Sequence, residues 1–185
     1  MRMKLLFYIL LLTLTSCNSL TPEERVIKKS LGKYVETEMF SYVHEDNSVI
    51  PYKEFRSKYD YISLVYLADG CSSCYSRYVE WQNGMDTLNY IDEYTVLFII
   101  EGMSYSIFIS NLKKNIPEYD LDRDRFYLIM DSDKQFLNAN IKIPQQIINK
   151  SILIDINNRI RLIGDPFANP QMAEIFYRIC NAKEK

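Results

Sequence analysis

The chain has 185 residues, 48% of them hydrophobic, with 22 Lys and Arg against 24 Asp and Glu and a formal net charge of −2. That length suits one compact domain, and the interspersed charges exclude the basic patch that nucleic-acid binding requires. Five scattered glycines leave no phosphate-cradling turn, and neither a nucleophile elbow nor a paired-carboxylate pattern occurs.

In chain order, residues 1–16 read as an export signal: Arg2 and Lys4 give a basic start, Leu5 to Leu14 an apolar core, and Leu14-Thr15-Ser16-Cys17 a small-residue cleavage site. The apolar run is about half of the ~20 residues that a membrane-crossing helix needs. Its removal takes Arg2 and Lys4 away and moves the net charge from −2 to about −4. Leu-Thr-Ser-Cys17 resembles the lipobox of bacterial lipoproteins, which implies that Cys17 is lipidated and becomes the new N-terminus, and Asn18 after it implies sorting to the outer membrane. Residues 21–31 predict a short helix with Thr21 as cap and Pro22 at its first position. A loose alternation over Tyr34–Val43 predicts an edge strand, and Tyr52–Tyr59 a short helix. Four aliphatic runs, Ile62–Leu67, Thr95–Ile100, Phe126–Met130 and Ser151–Ile156, predict buried strands. A fifth, Arg159–Ile163, follows Asn157-Asn158, residue types that suit a tight hairpin. Helices are expected from the cysteine pair toward Ile91, over Ser104–Lys114, and from Asn169-Pro170 onward. This order describes an α/β sandwich with a mixed sheet, and the 15 Tyr and 9 Phe read as a large aromatic core.

Cys71 and Cys74 stand three apart where an apolar strand gives way to a helix. By spacing alone they are a redox pair, half of a zinc site, or bystanders. Cys74, Tyr78, Trp81, Met85 and Leu88 step by four and three, which puts Cys74 on the buried stripe of an amphipathic helix. Cys71 falls at the exposed first turn, where unpaired N–H groups and the helix dipole favour a thiolate. An activated sulfur followed one turn later by a shielded one suits attack on a disulfide and resolution of the mixed intermediate. A zinc site would need two further ligands among His44, Cys180 and scattered acids, and there is no second close pair.

Leu67-Ala68-Asp69-Gly70-Cys71-Ser72-Ser73-Cys74 resembles the active-site turn of thioredoxin-like proteins. Ser151 to Ile160, SILIDINNRI, is similar to the strand-turn-strand hairpin of the TlpA-type branch, and Asp131 falls where that branch places an acidic turn. The resemblance covers about residues 58–183. It implies a thioredoxin-like sandwich over residues 58–185, with residues 17–57 as tether and N-terminal extension. It also implies thiol-disulfide exchange with protein thiols or disulfides through Cys71 and Cys74, with no cofactor beyond that disulfide and no metal. Three positions depart from the family. Val65 replaces a buried Asp, Arg77 replaces a Glu, and Asn149 stands where a cis-proline faces the cysteines, with Pro144 five residues upstream. A non-proline cis bond costs about 3 kcal/mol, so Asn149 is expected in trans. Arg77, three residues after Cys74, could stabilise a thiolate or reach solvent.

Cys180 shares the apolar stripe of Met172, Ile175, Phe176 and Ile179 and reads as a structural thiol. The expected protein is a lipid-anchored oxidoreductase of the bacterial cell envelope, on the outer membrane facing the periplasm. The alternative is a non-catalytic binding or structural module on the same fold.

Overall fold

The computed structural model describes residues 20–45, 48–68, 72–89, 91–119 and 127–182. The expected signal segment, Cys17 and Cys71 lie outside the described residues.

Helix α1 (Pro22–Ser30) starts as its sequence requires. The Thr21 hydroxyl accepts from the Glu24 N–H at 3.2 Å while the Glu24 carboxylate accepts from the Thr21 N–H at 2.7 Å, a reciprocal cap with Pro22 at the first position. The edge strand expected over Tyr34–Val43 does not form. Tyr34 makes a lone antiparallel bridge to Arg159, and both main-chain groups of Glu36 are taken by the Asn140 side chain at 2.8 and 2.9 Å, so no ladder can run through them. The segment is a strap across the fold, and the strand begins later, as β1 (Tyr42–Glu45), paired antiparallel with β2 (Ser48–Pro51). Helix α2 (Tyr52–Ser57) follows directly.

The aliphatic runs form the centre of the sheet: β3 (Tyr61–Leu67), β4 (Tyr94–Glu101), β5 (Tyr127–Asp131), β6 (Ile152–Ile154) and β7 (Ile160–Ile163). The order across the sheet is β2-β1-β5-β4-β3-β6-β7, with β3, β4 and β5 parallel and the others antiparallel to their neighbours. Strand β6 is shorter than the expected Ser151–Ile156. Ser151 turns to φ +97°, and the Asp155 carboxylate accepts the N–H groups of Asn157 and Arg159 at 2.9 Å each, which opens the hairpin turn. Asn158 takes φ +55° there, the conformation its residue type tolerates.

Helices cover both faces: α3 (Ser72–Asp86), α4 (Tyr105–Asn115), α5 (Gln135–Ala139), α6 (Gln145–Ile148) and α7 (Pro170–Cys180). Helix α3 stops before Ile91 because the Thr87 N–H and hydroxyl both turn back to the Gly84 carbonyl. Alternate residues of β3 face opposite cores. Ile62, Leu64 and Tyr66 join Phe55, Phe136 and Ile147 on the face carrying α1, α2, α5 and α6, while Tyr61, Val65 and Leu67 join Tyr78, Trp81, Phe108 and Phe176 under α3, α4 and α7. The aromatic richness of the chain is concentrated in these layers, as in the tilted Tyr78–Phe98 pair at 4.6 Å.

Where α3 crosses the loop before α7, Phe167 stands edge-on to Trp81 at 5.0 Å and lies over Gly84, where an added Cβ would fall 2.6 Å from the ring. Gly84→Ala gains helix propensity but forces the ring aside. We expect a net loss of about 1–3 kcal/mol in denaturant unfolding, and unchanged or higher stability would show that Phe167 yields freely.

Candidate functional site

All seven residues of β3 are buried, and the chain leaves the strand at Ala68 before α3 begins at Ser72. The stripe read from the sequence is present. Tyr78 and Trp81 are fully buried, while Cys74, Met85 and Leu88 are half-buried against the same core. The Cys74 thiol donates to the Ala68 carbonyl at 3.0 Å, which ties the first turn of α3 to the end of β3. Beside this sulfur is a pocket of about 10 Å³ lined by Leu67, Tyr75, Ile100, Met103 and Phe108, with room for one water at most. The sulfur therefore meets apolar walls on its inner side. Cys71 lies outside the described residues, so of the two sulfurs the structure describes Cys74.

Each of the three departures takes a definite form. Val65 has no exposed surface and packs into the core under α3, so that position supplies no proton acceptor. Asn149 is trans, since the described residues contain no cis peptide bond, and it closes α6 with φ −68°. Pro144 caps the start of that helix. Arg77 reaches across to main-chain carbonyls. Its guanidinium donates to the Asn149 carbonyl and to the Lys150 carbonyl at 2.7 Å each, and stands 3.5 Å from the Asp165 carboxylate. One turn beyond Cys74, α3 is thus forked onto the segment that leads into β6. The next residue, Ser151, is 1% exposed and holds φ +97°, a conformation costly for a residue with a side chain.

A second polar group at this edge of the sheet escaped the sequence reading. Tyr66 donates from its hydroxyl to Glu101, and the Lys134 ammonium meets the other Glu101 oxygen at 2.6 Å. Burial pushes the Glu101 carboxyl up, but the bonds from Lys134 and Tyr66 outweigh it and leave the group below the usual range. The same burial, and then Glu101, push the Tyr66 phenol up. The signal was available in outline, because Glu101 is a lone acid ending an apolar run. Asp131 at the end of β5 accepts from the Gln135 and Phe136 N–H groups at 2.8 and 3.0 Å, so it starts α5.

Cys180 and His44 do not join Cys74. Cys180 is half-buried on the core face of α7, near Asp60 and Tyr61 at the start of β3, and the rise of that strand separates the two ends by roughly 20 Å. Burial pushes its thiol up to about 12. His44 lies on β1, three strand spacings or about 14 Å from β3, and stacks on Tyr105 at 4.6 Å. Among the described residues no group of three or more His, Cys, Asp and Glu side chains is placed to hold a metal ion.

No family model and no curated protein matches the chain. Solved structures do. A candidate thiol-disulfide oxidoreductase from Bacteroides vulgatus superposes with a TM-score of 0.52 at 14% identity, covering 77% of this chain and 88% of that one. A candidate electron transfer protein from Aquifex aeolicus gives 0.55 at 15% identity, covering 83% of this chain and 100% of that one. At such identities the likeness concerns the fold, and with the mixed sheet and flanking helices it establishes a thioredoxin-like sandwich with an N-terminal extension.

Proposed function

We propose that the chain is a membrane-tethered thiol-disulfide oxidoreductase of the bacterial cell envelope, acting through Cys71 and Cys74 on thiols or disulfides of partner proteins. The observation that carries this reading is the placement of Cys74. It sits on the inner face of the first turn of α3, at the end of β3, with its thiol on the Ala68 carbonyl. A sulfur held there can resolve a mixed disulfide formed by Cys71, three residues earlier. In the reducing direction the Cys71 thiolate attacks one sulfur of the substrate disulfide; a Cys71–substrate bond forms, the substrate bond breaks and one thiolate leaves. Cys74, giving up its proton, then attacks the Cys71 sulfur and releases the second thiolate. The two electrons come from the protein dithiol, which ends as a disulfide, and the two departing thiolates take up two protons.

The hairpin of β6 and β7 and the acidic turn at Asp131 support assignment to the TlpA-type branch, and the folds of the Bacteroides and Aquifex proteins are compatible with it. Leu14-Thr15-Ser16-Cys17 supports lipidation at Cys17, and Asn18 after it supports an outer-membrane location facing the periplasm. A second reading, a binding module without exchange activity, is favoured by Val65, which removes one proton acceptor, and by Arg77, whose two terminal nitrogens donate to main-chain carbonyls.

In the reduced protein at neutral pH, an alkylating reagent should modify Cys71 first, with an apparent pKa below the ~8.5 of a free cysteine. Cys180 should be slowest. With its thiol near 12 it carries roughly 1,000-fold less thiolate than a group of pKa 9, and higher intrinsic nucleophilicity recovers only part of that, leaving it tens of times slower than a model thiol. Cys74→Ser should trap mixed disulfides through Cys71, and Cys71→Ser should trap few. Equal alkylation of Cys71 and Cys74 at an unshifted pKa, with no trapped partner in either variant, would leave the binding module standing.

The anchor has its own test. Cys17→Ser should release the protein from the membrane fraction and abolish lipid labelling, and unchanged partitioning with unchanged labelling would remove the tether from the proposal.

A further inference from the structure

We propose that Arg77 determines which disulfides the cysteine site accepts, and that it selects those presented by their side chains alone, with no extended main chain lying alongside. The inference rests on the oxidoreductase reading and narrows its substrate class. Ile152 pairs antiparallel with Leu64, so residues 149–151 are the turn that leads into that pairing, on the flank of β3 whose end at Leu67 is followed by Ala68, the acceptor of the Cys74 thiol. A peptide docking there by strand addition would need free main-chain acceptors and donors along that segment.

Every carbonyl of the segment already accepts a hydrogen bond, two of them from a charged donor. Those of Asn149 and Lys150 are held by the Arg77 fork at 2.7 Å each, and that of Ser151 accepts from the Gly164 N–H at 3.1 Å. The Asn149 and Lys150 N–H groups are also committed, to the carbonyls of Gln145 at 2.9 Å and Ile147 at 3.1 Å. Displacing the fork would strip two charge-assisted bonds from a half-buried guanidinium, a larger loss than the neutral bonds a peptide would bring. A small disulfide, or one protruding from a folded protein, asks nothing of that backbone. Its sulfur needs only to reach the cysteines.

The test is single-turnover oxidation of the fully reduced protein by bis(2-hydroxyethyl) disulfide, by linear peptide disulfides of increasing length, and by a folded protein with a surface disulfide. For the unaltered protein the rate should not rise with peptide length; a rise overturns the inference without recourse to any variant. In Arg77→Gln, which removes both the charge and the guanidinium fork, the longest peptide should gain about tenfold over the small disulfide, the scale of one or two main-chain hydrogen bonds. The gain should be smaller in Arg77→Lys, whose ammonium keeps the charge without the planar fork. Asp165→Asn, which keeps both carbonyl bonds and removes only the ion pair, should leave that ratio unchanged. An unchanged ratio in both Arg77 variants, or an equal shift in Asp165→Asn, overturns the proposal while leaving the oxidoreductase intact. If the folded protein outpaces the small disulfide, the source is a protein surface, and if the reverse holds it is a small molecule; both agree with the selection. Failure of every disulfide to react removes the enzyme and the selection together.

Discussion

Seven consecutive buried residues in β3 can be satisfied only in the interior of a sheet with both faces covered, because alternate side chains point to opposite sides. Much else follows from that demand. Helices must lie on both faces, so one apolar layer forms around Leu64 and Tyr66 and another around Val65 and Leu67. Strands must flank β3 on both sides, which β4 does in parallel and β6 antiparallel. The end of so constrained a strand is a fixed point, and the Ala68 carbonyl uses it to locate the first turn of α3 and the Cys74 sulfur.

The edge of the sheet beyond that fixed point is polar, and its polar groups are braced in pairs. Glu101 is held between Tyr66 and Lys134, and the Asp131 carboxylate is spent on the start of α5. On the other flank Arg77 braces α3 against the approach to β6. A proline there would restrict the backbone through its ring; here a guanidinium reaches across from a helix and orients two peptide planes from outside. Ser151, strained and buried, stands immediately after those two planes, and strain of that kind persists where the surroundings over-determine the backbone.

How much of this could be read in advance depends on the sequence distance over which each interaction acts. The central strands were legible because aliphatic runs such as Thr95–Ile100 carry their burial in their own composition, and the cap of α1 because Thr21, Pro22 and Glu24 satisfy one another within four residues. The Asn157-Asn158 hairpin and the stripe through Tyr78 and Trp81 are local in the same sense. Tyr34–Val43 misled because the group that saturates Glu36 belongs to Asn140, more than a hundred residues away, and alternation says nothing about such a partner. Arg77 is the same case at the site. Helical spacing placed it on α3, but its acceptors at Asn149 and Lys150 are set by how β6 docks on β3. Helices α5 and α6 are too short to show a period, and one of them starts only because Asp131 happens to end β5 beside it.

Lys150 also bears on how the domain stands in its surroundings. While its carbonyl is held by Arg77, its ammonium meets Glu23 in the first turn of α1 at 2.8 Å, so the chain enters the fold beside the segment that borders the cysteine edge. Three residue steps separate Leu20, where the described chain begins, from Cys17, a leash of about 10 Å at full extension. With an anchor at Cys17, so short a leash would keep that flank close to the lipid headgroups and limit how far the domain can swivel. Partners would then be met within a thin layer next to the bilayer, where a membrane-bound protein or a solute diffusing along the surface has the advantage over one arriving from the open compartment.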